Sequence, residues 1–237
     1  MSHASGAARG HAPREGDAGE VRPLSVHRAG TVPYAEGLRL QEDFVARRRA
    51  GAVPDTLIVL EHPHVITLGA SSGADDVLAS REELARRGVE LFDAGRGGGV
   101  TYHGPGQLVV YPILDLKPDR KDLHAYLRDL EAVLIDVAGV FGVRARRREG
   151  LTGVWTEAGK LAAIGVRVSS HWIASHGVAL NVAPDLGYFD AIVPCGIAGE
   201  AVTSLEREVG GPVDPEAVIE AFVSAFATVF DREIQVG

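Results

Sequence analysis

Between positions 34 and 50 apolar residues recur at helical spacing, with Tyr34, Leu38 and Val45 on one face, and this predicts a helix entered from a short apolar segment at 24–26. The runs 56–61 (TLIVLE) and 65–68 (VITL) are short, β-branched and bounded by Pro and Gly, so both predict strands. Residues 75–87 (DDVLASREELARR) have helical spacing and an acidic first turn, with Gly88 as the stop, and a strand VELFD follows. The segment 107–116 (QLVVYPILDL) is too apolar for a loop. Pro112 within it points to an edge strand or a bulge, because proline cannot donate to a ladder. Residues 122–139 carry Leu123, Leu127, Leu130, Leu134 and Val137 on one stripe of a helix. Strands are expected at 153–155, 161–168 and 172–182, the last two joined as a hairpin across the SSH segment, and a closing amphipathic helix at 215–230.

This order lacks the steady strand–helix alternation of a doubly wound sheet. It predicts an α+β, two-layer fold with a mixed, largely antiparallel sheet and flanking helices. A length of 237 residues with 46% hydrophobic composition suits one domain, expected over 23–237. Residues 2–20 contain no large apolar side chain, so 1–22 reads as a disordered tail. The net charge of -8 argues against a general nucleic-acid binder. No apolar run is long enough to span a bilayer, and residues 1–22 lack the apolar core of a secretory signal, so the expected location is cytoplasmic, with no membrane partner.

The chemistry concentrates in three places. The first is the glycine-dense stretch Arg96, Gly97, Gly98, Gly99, Val100, Thr101, Tyr102 and His103, followed by Gly104, Gly106 and Gln107. Such density carries an entropic cost that close approach of backbone to a ligand would explain. Neither a phosphate-binding P-loop nor a dinucleotide fingerprint fits its spacing. The second is Cys195, the one cysteine, flanked by Pro194 and Gly196; a single cysteine excludes an internal disulfide and is either a buried small hydrophobe or a reactive thiol. The third is Lys160. Only three lysines occur, at 117, 121 and 160, and Lys160 alone opens an apolar strand, where partial burial suits it to proton transfer. His103 and His176 are further candidates for substrate contact.

Two other patterns invite different chemistry. Gly69-Ala70-Ser71-Ser72-Gly73 matches the hydrolase pattern G-x-S-x-G, but few strands precede it and no oxyanion segment lies upstream. His62 and His64 suggest a metal, yet no third ligand follows at suitable spacing, so neither a metal nor a cofactor is expected. The arginines at 144, 146, 147 and 148 form a basic run suited to an acidic protein partner.

The stretch RGGGVTYHGPGQLVVY (96–111), followed in order by GKLAAIGVRV, HGVALNV and AIVPCGI, resembles the signature of the octanoyl-acyl carrier protein:protein transferases, over roughly residues 24–210. The resemblance implies a fold similar to the catalytic domains of biotin and lipoate protein ligases, without their ATP chemistry. By motif, Cys195 becomes the acyl-accepting nucleophile and Lys160 its acid/base partner. Arg96 through His103, with Ala163, Ile164, Gly165, Gly177, Val178 and Ala179, become the acyl site. The implied donor is octanoyl-acyl carrier protein, and the implied acceptors are lipoyl domains of 2-oxoacid dehydrogenases and the glycine cleavage H protein. An ATP-dependent lipoate or biotin ligase is the alternative activity.

Overall fold

Residues 57–60 and 108–111 are apolar at every position, as expected of strands covered on both faces. The computed structural model describes residues 21–193 and 200–235. Its elements, in chain order, are β1 (Arg22–Thr31), α1 (Tyr34–Arg49), β2 (Asp55–Glu61), β3 (Val65–Leu68), α2 (Arg81–Arg86), β4 (Glu90–Asp93), β5 (Thr101–His103), β6 (Gln107–Ile113), α3 (Leu123–Val140), β7 (Gly153–Trp155), β8 (Lys160–Val168), β9 (Ala174–Asn181), α4 (Leu205–Val209), α5 (Pro215–Phe230) and β10 (Arg232–Ile234). The main sheet has the order β10-β1-β2-β6-β9-β8-β7, and a small second sheet has the order β4-β3-β5. Pairing is parallel from β10 through β1 to β2 and antiparallel from β2 to β7, so the sheet is mixed and largely antiparallel.

Alternate residues of the two inner strands feed different layers. Leu57, Val59, Leu108 and Val110 pack with Leu130, Leu134 and Val137 of α3 and Phe222, Phe226 and Phe230 of α5. Ile58, Leu60, Val109, Tyr111 and Ile113 meet Phe44 of α1 on the opposite face. Each fully buried aliphatic or aromatic side chain contributes about 1.5–3 kcal/mol, so these two layers dominate the stability. The helix starts are locally encoded: Asp122 accepts from the Ala125 N–H and Asp214 from the Glu216 N–H, with Pro215 in the first turn of α5. One end of the sheet is tied by Asp55, fully buried, which receives Arg22, Arg48 and Arg232.

Two expectations need correction. Pro112 lies in a central strand, not at an edge or a bulge: it pairs in regular register with Leu57. The proline is tolerated because the pairing with β9 is interrupted around it: the ladder breaks off at Val110 opposite Val178 and resumes only where the Ala174 N–H donates to Leu114 O, so no N–H is required at position 112. The helix expected over 75–87 is broken. Ala74–Asp76 form a single 3-10 turn, Val77 bridges Ile192, and Ser80 starts α2 afresh by accepting from the Glu83 N–H. The tail expected over 1–22 lies almost wholly outside the described residues. No helix among the described residues is long and apolar enough to cross a membrane.

Candidate active site

The β8–β9 hairpin makes the floor of a cavity of about 210 Å³. That is far more than the roughly 10–15 Å³ needed by one water. Ala163 pairs with Ala179 and Gly165 with Gly177, so four small residues occupy neighbouring positions on the same face of the sheet, and the space above them stays open. Ile164 and Val178 also border the cavity but belong to the core cluster on the α3–α5 side. The two pairs of small residues therefore form the open part of the cavity floor.

Lys160 reaches this same face through a break in register. Trp155 pairs with Lys160 and Val154 with Ala162, leaving Leu161 as an extra residue on β8. Because side chains alternate with period two, one inserted residue places Lys160 on the face of Ala163 instead of the opposite one. Lys160 is 7% exposed and lines the cavity, its Nζ 5.3 Å from the Trp155 ring centroid. Its backbone is fixed from the other side: its N–H donates to Ala201 O at 2.8 Å, and its carbonyl accepts from the Thr203 N–H at 3.0 Å.

The glycine-rich stretch folds around Arg96. The guanidinium, 7% exposed, donates through Nη1 to the carbonyls of Gly97 and Gly99, both at 3.0 Å, and through Nη2 to Thr67 Oγ1 at 2.7 Å. A Cβ on Gly165 would stand 2.9 Å from Arg96 Nη1, so that glycine makes room for the clamp. Arg96 thus holds the loop that forms the cavity wall opposite the sheet.

His103 closes the wall. Its Nδ1 meets Gln107 Oε1 at 2.7 Å, and Gln107 Nε2 donates to Asn181 Oδ1 at 2.9 Å. Asn181 Nδ2 in turn donates to Thr203 O at 3.0 Å, which ends the chain beside Lys160. With the amide oxygen as acceptor, Nδ1 carries the hydrogen and Nε2 is left as the basic position. Burial, reinforced by His62 and Arg96, pulls the pKa of His103 down to about 3. His176 is lowered to about 4 by burial, Arg96 and Arg167. Both are neutral at physiological pH, while desolvation raises the Tyr34 phenol to about 12, so it stays protonated.

Of the residues singled out in the sequence, Arg96, Gly98, Gly99, Val100, Thr101, His103, Lys160, Ala163, Ile164, Gly165, His176, Gly177, Val178 and Ala179 all line this one cavity. Gly97 does not line it; its N–H donates to Val166 O. Tyr102 is buried on the far side of β5, with its hydroxyl 2.7 Å from His64 Nδ1. Cys195 lies outside the described residues; the described chain pauses after Val193 and resumes at Glu200. Tyr34, Val109, Tyr111 and the turn Gly150, Leu151 and Thr152 complete the lining; none was expected as a site residue, since nothing local separates them from ordinary core and loop positions.

The alternative motifs have structural roles. Gly69 of the G-x-S-x-G match lets the chain approach the glycine loop, where a Cβ would meet Gly98 O, and the Ser71 N–H donates to that same carbonyl. His62 bonds Val32 O and Tyr111 Oη, and His64 stacks on Tyr188. Among the described residues no group of three His, Cys, Asp or Glu is placed to hold a metal ion. In the basic run, Arg147 pairs with buried Glu131 and Arg148 with Glu200, while Arg144 and Arg146 are exposed.

The description of the lipoyl protein ligase A/B catalytic domain matches residues 33–227. A curated octanoyltransferase of Rubrobacter xylanophilus is 51% identical over 84% of this chain and 90% of its own length. The chain belongs to the lipoyl protein ligase A/B family, among the octanoyltransferases. A second octanoyltransferase, of Solibacter usitatus, is 46% identical over 92% of this chain and 97% of its own. Among solved structures, the bipartite lipoate protein ligase of Thermoplasma acidophilum superposes with a TM-score of 0.71 at 16% identity, over 92% of this chain and 87% of that one. A lipoate-protein ligase A bound with ATP gives 0.70 at 16% identity, over 92% and 89%. These likenesses place the octanoyltransferase family member on the lipoate ligase fold, as the sequence led us to expect.

Proposed function

We propose that this protein moves an octanoyl group from octanoyl-acyl carrier protein to a lysine of a lipoyl domain, with Cys195 as the intermediate acyl carrier and Lys160 as its acid/base partner. The observation that carries the reading is the buried amine of Lys160 on a small-residue cavity floor, in a chain 51% identical to a named octanoyltransferase. Where the described chain resumes after 199, Ala201 and Thr203 are bonded to the backbone of Lys160.

In the first half-reaction Lys160 Nζ accepts the Cys195 proton, and the thiolate attacks the donor thioester carbonyl. The bond from that carbonyl to the pantetheine sulfur breaks, and the leaving thiolate takes the proton back from Lys160. In the second half, the target lysine's neutral amine attacks the Cys195 thioester. An amide forms, the C–S bond breaks, and Lys160 relays the amine's proton to the Cys195 sulfur. A thioester is exchanged for a thioester and then for an amide, so the sequence runs downhill without ATP.

Above Ala163, Gly165, Gly177 and Ala179 the acyl tail gains about 0.8 kcal/mol per buried methylene. Acceptors are read as lipoyl domains of 2-oxoacid dehydrogenases and the glycine cleavage H protein, with 23–237 as the catalytic domain of a cytoplasmic enzyme. The test is transfer in a reconstituted mixture of octanoyl-carrier protein, enzyme and lipoyl domain. Octanoyl-lysine formed without ATP and abolished in Cys195→Ala supports the reading. Product that requires ATP and survives Cys195→Ala points to a ligase instead.

A further inference from the structure

Three elements run side by side from the acyl cavity to a separate surface groove. Helix α1 gives Tyr34 to the cavity and Leu38 and Gln41 to the groove; the turn after β4 gives Arg96 to one and Gly95 to the other. Strand β8 likewise gives Gly165 to the cavity and Arg167 to the groove, but His176 of β9 lines both. It stands at the end of the cavity away from Lys160: His176 pairs with Val166, six positions along β8, so the two lie on the order of 15–20 Å apart.

His176 is held rigidly there. Its φ is +55°, an uncommon left-handed conformation in which Asn, Asp and His are the non-glycine residues most often found, and its N–H donates to Gln41 Oε1 at 2.7 Å. The ring is 5% exposed and sits edge-on to Tyr111 at 6.1 Å. A residue kept in an unfavourable backbone conformation between two spaces suggests a purpose for the side chain it presents. Beyond it the groove offers apolar lining from Leu38, Val45 and Ile173.

We infer that His176 is the end wall of the acyl cavity and sets the longest chain the enzyme accepts, by closing the passage into the groove beneath α1. The inference rests on the octanoyl-transfer reading. Opening the wall lets the tail of a longer chain run on into the groove.

The experiment offers octanoyl- and dodecanoyl-carrier protein in equal amounts and weighs the acyl-lysine products on a lipoyl domain. Glycine adopts the His176 conformation without strain, so His176→Gly removes the wall and keeps the backbone. The dodecanoyl-to-octanoyl product ratio is expected to rise by at least about tenfold, since each further buried methylene favours binding. His176→Phe, which fills the same space, is expected to keep the wild-type ratio. Adding Ala46→Trp, on the exposed groove side of α1, to His176→Gly should bring the ratio back down. An unchanged ratio in folded His176→Gly, or a raised ratio indifferent to Ala46→Trp, overturns the inference. Should His176→Gly fail to fold, His176→Asn also tolerates positive φ and is read by the same criterion. Wild-type octanoyl transfer, measured alongside, reports separately on the underlying reading.

Discussion

The cavity floor depends on small residues, and Gly177 is where the fit is tightest. A Cβ at that position would lie 2.3 Å from Val110 O and 2.5 Å from Pro112 Cδ, both on the neighbouring central strand. Ordinary carbon contacts begin near 3.5 Å. Gly177→Ala therefore demands a shift of about 1 Å between β6 and β9, strands packed by helices on both faces and unable to part freely. Overpacking of this kind typically costs about 1–3 kcal/mol, with more expected here because the obstacle is backbone. For a domain of this size each kcal/mol moves Tm by about 2–4 °C, so a fall on the order of 5–10 °C is expected in calorimetry. Gly139 supplies the control. It sits in α3 with nothing within 4 Å of an added Cβ, and Gly139→Ala should raise stability by about 0.5–1 kcal/mol from helix propensity alone. If Gly177→Ala melted with the wild type, the claim that close strand packing requires this glycine would be wrong.

Two further outcomes are expected. In the unfolded chain His103 and His176 take up protons near pH 6.5, but in the fold they do so only at about 3 and about 4, so the unfolded state holds more protons throughout that interval. Stability is then full above about pH 6.5 and falls on acidification, by roughly 1 kcal/mol per histidine at pH 5.5; urea midpoints equal at pH 7 and 5.5 would contradict it. Arg96→Lys replaces a fork spanning Thr67 and two glycine carbonyls with a single ammonium. A loss of about 1–3 kcal/mol in urea unfolding and a raised KM for the acyl donor should follow, and an unaltered KM would deny Arg96 its hold on the loop.

Much of this was legible in the chain because local signals and long-range packing agreed. The α5 boundaries follow from Asp214 and Pro215, and the apolar runs of β2 and β6 reflect cover on both faces. The glycine-rich stretch, Lys160 and the small residues of the hairpin converge on one cavity because three separated segments each carried their own motif. The misses are tertiary in origin. Pro112 sits mid-sheet because the adjoining ladder is interrupted opposite it and resumes beyond it, which only the partner strand determines. Residues 75–87 have helical spacing, yet Val77 is drawn into a bridge with Ile192 over a hundred positions away. The bulge at Leu161 that turns Lys160 inward has no sequence signature, because it exists only relative to β7. Tyr34 and Tyr111 reach the cavity through helix and sheet placement rather than any motif.

The most direct measurement of the central claim is intact mass spectrometry of the protein after incubation with octanoyl-carrier protein alone. A single octanoyl-sized gain, removed by hydroxylamine, absent in Cys195→Ser and slowed by at least about a hundredfold in Lys160→Met, is the predicted result. A wild-type protein that transfers octanoate yet never carries it, or an adduct that persists without Cys195, would contradict the account.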